Sequence, residues 1–74
     1  MKKEVLIQFG IRIKDLRNQR GWSQEFLAEK TGFHRTYIGM IERAERNLSL
    51  TNIEIFAITF DISISELLKL DKTL

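Results

Sequence analysis

The sequence predicts an all-α fold, a compact five-helix domain spanning residues 1–74. Three observations carry that expectation. Apolar residues recur at helical spacing, while strand-like alternation is weak. Proline is absent, so nothing forces an internal break. Gly21, Ser23, Gly32 and Ser63 fall between the periodic segments, where helices stop and start.

The first helix is expected over about Glu4–Gln19. Leu6, Phe9, Ile13 and Leu16 share one face there, and Lys14, Asp15, Arg17 and Asn18 lie mostly off it. Gly21 then supplies a left-handed residue at little cost, which ends the helix. Ser23 is the expected N-cap of a second helix that runs to Thr31 and stops at Gly32. Trp22 before that cap and Leu27 four residues after it have the spacing of a hydrophobic staple. Trp22 is therefore read as a core or staple residue, not as a platform for stacking bases. Phe26, Leu27 and Ala28 are expected to face inward. A third helix spans roughly His34–Arg43, with Tyr37, Ile38 and Ile41 inward and Arg35, Thr36, Gly39 and Met40 outward. An arm, Ala44–Leu48, follows. The fourth helix is expected over Leu50–Phe60, with Thr51 and Glu54 offering a competing cap. The fifth is expected over Ile64–Leu70, opened by the capping-box pattern Ser63-Ile64-Ser65-Glu66.

Composition excludes several classes of function. There is no cysteine and His34 is the only histidine, so no disulfide, metal site or cofactor is expected. No nucleophile–base pairing and no phosphate-cradling glycine loop is visible, so an enzyme is not expected either. The apolar run Val5-Leu6-Ile7 is soon interrupted by Gln8, Gly10, Arg12 and Lys14, too early for a signal peptide or membrane span. Absence of cysteine fits a reducing cytoplasm. Net charge is +2, but it is unevenly spread. Residues 1–48 carry ten Lys/Arg against six Asp/Glu, and residues 49–74 carry two against four. A basic front and an acidic back suit a domain that meets phosphate on one side.

Gln24–Ile41 is the informative segment. It reads as a short helix, a tight turn at Gly32, and a second helix exposing Arg, Thr and Met. Ala28 sits where two crossing helices need a small side chain, and Gly32 where the turn needs positive φ. This is the grammar of a helix-turn-helix. Its first helix crosses the phosphate backbone, and its second presents N-terminal side chains to base edges. A helical hairpin without a nucleic-acid role would accept the same Ala28 and Gly32; exposed Arg35 and Thr36 favour DNA.

Phe9-Gly10, Ile13, Leu16-Arg17, Gly21-Trp22-Ser23-Gln24-Glu25, Leu27-Ala28, Gly32 and Ile41-Glu42-Arg43 resemble the lambda-repressor-like helix-turn-helix family. His34-Arg35-Thr36-Tyr37-Ile38 and Arg46-Asn47-Leu48-Ser49-Leu50 resemble a narrower group, the controller proteins of bacterial restriction–modification systems. The resemblance implies a regulator of its own gene and of a neighbouring endonuclease gene. It implies Gln24 on a phosphate, Arg35 and Thr36 at base-reading positions, and Arg46 and Asn47 in an arm against backbone or neighbouring bases. It also implies an ion pair between Arg17 and Glu42. The chemistry agrees: arginine can grip guanine O6 and N7 together, and threonine can offer its methyl to thymine. Ser23, Gln24 and Asn47 are uncharged donors of the kind that fix register on phosphates. Met40 lies beside the base-reading positions and could meet a methyl group or a sugar. His34 is expected in the first turn near phosphate. Tyr37 has two readings, a core ring or a hydroxyl on phosphate. Arg43 could bind phosphate or cap the helix C-terminus. Controllers commonly carry serine where this chain has Gly39.

The back end, about residues 50–74, reads as a dimerisation surface. Ile53, Phe56, Ala57 and Phe60 form the stripe expected to fill the core. Ile55, Ile58, Ile62, Ile64, Leu67 and Leu68 exceed what one small core needs, and apolar surface in excess marks an interface. A two-fold dimer would space two recognition helices by about one DNA turn, roughly 34 Å. The expected partners are thus double-stranded DNA and a second copy, with two dimers on adjacent operators implied by the resemblance. Neither a membrane nor a small-molecule ligand is expected. The alternatives are a phage-type repressor or antitoxin, or an interaction module that has lost DNA binding.

Overall fold

A computed structural model describes residues 3–70. Five helices follow one another: α1 (Glu4–Gln19), α2 (Gln24–Thr31), α3 (Arg35–Glu42), α4 (Leu50–Phe60) and α5 (Ile64–Leu67). There is no strand among the described residues.

Serines start three of the helices. Ser23 Oγ accepts from the Phe26 N–H, Ser49 Oγ from Asn52 and Ser63 Oγ from Glu66. Each satisfies one of the donors a helix start leaves open. Ser49, not Thr51, caps α4; the Thr51 hydroxyl lies 3.1 Å from that of Ser49. The helix ends also share a device. After α1 the Trp22 N–H bonds the Arg17 carbonyl and the Gly21 N–H bonds Asn18, with Gly21 at φ 69°. The same paired bonds recur after α3 around Ala44 and after α4 around Asp61, at φ 64° and 59°. Left-handed backbone favours glycine. Only the α1 end of these three therefore announces itself in the sequence.

The fifth helix is shorter than expected. Arg12 on α1 explains where it stops. Its Nη2 donates to the Glu66 carbonyl at 2.7 Å and its Nε to the Leu67 carbonyl at 3.1 Å. The last carbonyls of α5 are thereby satisfied from another helix and need no further turn.

The core takes Phe9, Ile13 and Leu16 from α1, Leu27 and Ala28 from α2, and Ile38 and Ile41 from α3. Phe56, Ala57 and Phe60 of α4 complete it with Leu67. Trp22 stacks on Phe60 with centroids 5.8 Å apart, and the Arg20 guanidinium covers both rings. Three orientations differ from expectation. Phe26 is 39% exposed, because three successive helical residues cannot all face one core, and Leu27 and Ala28 hold it. Gly39 is buried rather than outward, because the Arg43 and Gln24 side chains close over it. Leu67, expected at the dimer interface, is 0% exposed. It fills the monomer's own core and has no surface left for a partner.

Gly10 fixes how α1 crosses α3. A Cβ there would lie 2.6 Å from the Ile41 carbonyl oxygen and 2.9 Å from that of Glu42. The absent side chain lets α1 lie directly on the C-terminal turn of α3.

Candidate nucleic-acid interface

The α2–turn–α3 unit is joined at Gly32, whose φ is 82°. Its N–H bonds the Ala28 carbonyl, closing α2, and α3 begins three residues later. Ile38 and Ile41 anchor the inner face of α3 in the core. The opposite face begins with Arg35 and Thr36, both exposed, with Met40 half-buried beside them.

The front of α3 is locally poorly made. Its N-cap, His34, makes no side-chain cap bond, and its first turn carries no acidic residue. Arg35 instead puts a cation where the helix dipole favours an anion. Packing from behind holds the helix despite these choices. Local rules broken without structural gain mark a functional surface.

Behind that surface lies a charge network. Arg17 Nε donates to Glu42 Oε2 at 2.7 Å and Arg17 Nη2 to Glu42 Oε1 at 2.9 Å, a two-pronged pair. Arg17 Nη1 also donates to the Trp22 carbonyl at 2.8 Å. Gln24 Nε2 donates to Glu42 Oε1 at 3.1 Å. The two charged side chains are only 11% and 4% exposed. The hydrogen bond with Glu42 holds the Arg17 guanidinium above its ordinary pKa; burial opposes this and the Glu42 charge adds to it. The network ties α1, the start of α2 and the end of α3 into one frame. It also orients Gln24, which keeps a second amide N–H for a ligand.

Two polar hollows flank Gln24 and Arg35. One, of about 350 Å³, is lined by Arg17, Ser23, Gln24, Glu25 and Arg35. The other, of about 220 Å³, is lined by Gln24, Arg35, Thr36, Gly39 and Arg43. The structure thus brings Ser23, Gln24, Arg35, Thr36 and Arg43 to one face. Tyr37 lines neither hollow and is half-buried, as its core reading expects. Its ring packs on Phe33 at 4.9 Å, and its hydroxyl accepts from Asn52 Nδ2 at 3.0 Å. The Arg46 guanidinium sits 5.3 Å from the Tyr37 ring centre, which docks the arm against α3. Asn47 is exposed and lines an apolar groove with Val5, Leu48 and Leu68, away from the two hollows.

Sequence reasoning gave no site role to Glu25 or Asn52 and placed Gly39 outward without a partner. Glu25 is an ordinary first-turn acid by its spacing. Asn52 acquires its role only when α4 meets Tyr37.

On the rear, Ile58 is 70% and Leu68 38% exposed. Ile55 is half-buried outside the core, whereas Ile62 and Ile64 pack partly against it. Residues 71–74 of the expected dimerisation surface lie outside the described residues. No helix among the described residues is long and apolar enough to cross a membrane.

A short helix, a glycine turn and a second helix with its polar N-terminal face outward define a helix-turn-helix domain. The chain belongs to the helix-turn-helix family, whose model matches residues 13–67. Within that family it is similar to restriction–modification controllers. Control protein C.SmaI of Serratia marcescens is 44% identical over 66 residues, 89% of this chain and 75% of that protein. The controller protein C.AhdI from Aeromonas hydrophila superposes with a TM-score of 0.80 at 47% identity, covering 84% of this chain and 94% of that one. The controller C.Esp1396I, solved as a tetramer on its natural 35 base-pair operator, gives 0.81 at 34% identity over 90% of this chain and 92% of that one.

Proposed function

We propose that this chain is a sequence-specific transcriptional regulator of the restriction–modification controller type, binding a palindromic operator as a homodimer. The observation that carries the reading is the pair of hollows sharing Gln24 and Arg35, open at the start of a helix anchored from behind. Arg35 and Thr36 read base edges, with Met40 beside them. Ser23, Gln24, His34 and Tyr37 set the register on phosphate together with the arm residues Arg46 and Asn47. The start of α2 adds backbone N–H groups and the positive end of a helix dipole. Ile55, Ile58, Ile62, Ile64 and Leu68 form the contact between copies. Two dimers would occupy adjacent sites, a reading supported by the C.Esp1396I tetramer on its 35 base-pair operator. The protein works in the bacterial cytoplasm on the nucleoid and performs no catalysis.

Fluorescence anisotropy tests this. DNA from upstream of the protein's own gene is titrated against a scrambled duplex at two salt concentrations. Binding should favour the native duplex and fall steeply with salt, because phosphate contacts release counterions. Arg35→Ala should abolish the preference between duplexes. Equal weak binding to both, unchanged in Arg35→Ala, would sink base reading. Ile58→Glu, at a 70% exposed position, should give a folded monomer by sedimentation; an intact dimer would rule that surface out.

A further inference from the structure

Gly39 occupies the middle of α3, where glycine is the least favourable residue short of proline. Its surroundings supply a reason. Helix side chains lean toward the N-terminus, so the residue at position 43 overlies position 39, and Arg35 lies one turn further along the same line. A Cβ on Gly39 would lie 3.0 Å from Arg43 Nη1 and 3.7 Å from Gln24 Oε1. The Arg43 guanidinium therefore fills the place that a side chain at position 39 would take. Arg43, with Gln24 of α2 beside it, is what buries Gly39.

The guanidinium also has one partner. Arg43 Nε donates to Glu45 Oε1 at 3.2 Å, while Nη1 and Nη2 make no hydrogen bond among the described residues. Its free edge belongs to the hollow lined by Gln24, Arg35, Thr36 and Gly39. Two parallel N–H groups on a planar fork match the O6 and N7 acceptors of guanine.

Building on the DNA-reading role proposed above, we infer that Arg43 is a base-reading residue, admitted to the recognition face by the missing side chain of Gly39.

Selection from a random-sequence duplex library tests this with wild type, Arg43→Ala, Arg43→Lys, Gly39→Ser and the double variant. Wild type should enrich a palindromic motif. Arg43→Ala should lose a guanine preference of about tenfold at one position per half-site and keep the others. Arg43→Lys should not restore it, because an ammonium cannot bond two acceptors as a fork. Gly39→Ser should erode the same position by displacing the guanidinium. Adding Arg43→Ala to Gly39→Ser should then cost less than about twofold more. Serine is a better helix former than glycine, so Gly39→Ser should melt no lower than wild type, separating lost reading from lost fold. An unchanged motif with uniformly weaker binding in Arg43→Ala would make Arg43 a phosphate contact and overturn the inference. An unaltered guanine preference in Gly39→Ser would do the same. No enriched motif from wild type would overturn the DNA-reading role itself.

Discussion

Gly10→Ala is the sharpest test of how α3 is held. In an exposed helix interior this change stabilises by about 1 kcal/mol. Here the new Cβ would stand 2.6 Å from the Ile41 carbonyl oxygen, whereas ordinary contact begins at 3.4 Å. The helices would have to part locally by roughly 0.8 Å, the difference of those two distances. The obstructing atoms are backbone on α3 and cannot rotate aside. Overpacking costs about 1–3 kcal/mol, and a backbone obstruction belongs near the top of that range. Subtracting the propensity gain leaves a net loss of about 2 kcal/mol. In a domain of this size that lowers Tm by roughly 8–16 °C. Thermal and urea unfolding by far-UV circular dichroism would measure it, at matched protein concentration because a dimer's Tm depends on it. Gly39→Ala is the control. The nearest obstacle there is the mobile end of Arg43 at 3.0 Å, so the propensity gain should survive and stability should rise. A Gly10→Ala variant as stable as wild type would refute the crossing geometry.

Arg17→Ala leaves the enclosed Glu42 carboxylate without its charge partner and should cost about 3 kcal/mol or more in urea unfolding. Its pH signature follows from the raised pKa of Arg17: the contribution is fully present below the ordinary arginine value and fades only as pH rises past it. Titration of Arg17 should therefore give no stability change across neutral pH, checked by unfolding at several pH values. His34→Asp supplies the missing cap and an acid at the start of α3. It should raise stability by about 0.5–1 kcal/mol while weakening DNA affinity, read by unfolding and anisotropy together. Ser63→Ala removes the cap on the Glu66 N–H and should cost about 1 kcal/mol by the same unfolding assay.

The parts of the fold legible in the sequence are those fixed by neighbours along the chain. The bounds of α1, α2 and α4 follow from apolar spacing and from the residues flanking each run. Ser23 and Ser63 announce their caps, and Gly21 and Gly32 their turns. What escaped is fixed by residues distant in sequence. The end of α5 depends on Arg12, 54 and 55 residues away from the carbonyls it binds. The left-handed Ala44 and Asp61 carry no glycine to mark them. Leu67 looks like surplus apolar surface until α5 folds back into the core. Gly10 and Gly39 look alike as helix-weakening glycines, yet one admits a backbone and the other a guanidinium. The candidate site was legible to the extent that exposed Arg35 and Thr36 follow a glycine turn. The placement of Gln24 by Glu42 and of Tyr37 by Asn52 was not, because each joins two helices.

These observations divide α3 into two halves with different tasks. Its rear is over-determined by Ile38 and Ile41 in the core, Glu42 in the Arg17 network, and α1 in close contact through Gly10. Its front lacks a capping side chain, carries a cation at the positive end of the dipole, and has glycine in its middle. Each front-side choice weakens the helix by a few tenths to about 1 kcal/mol. The rear-side interactions are individually larger, since a buried side chain or an enclosed ion pair is worth more than a cap to lose. That inequality lets the front vary without loss of fold. On the proposed reading, substitutions at Arg35, Thr36, Gly39 or Arg43 should change which sequence is read, while substitutions at Gly10, Arg17 or Glu42 should abolish reading by unseating the whole helix. A variant library scored for both stability and binding would separate these two sets. A front-face substitution that unfolded the domain as severely as Arg17→Ala would break the division.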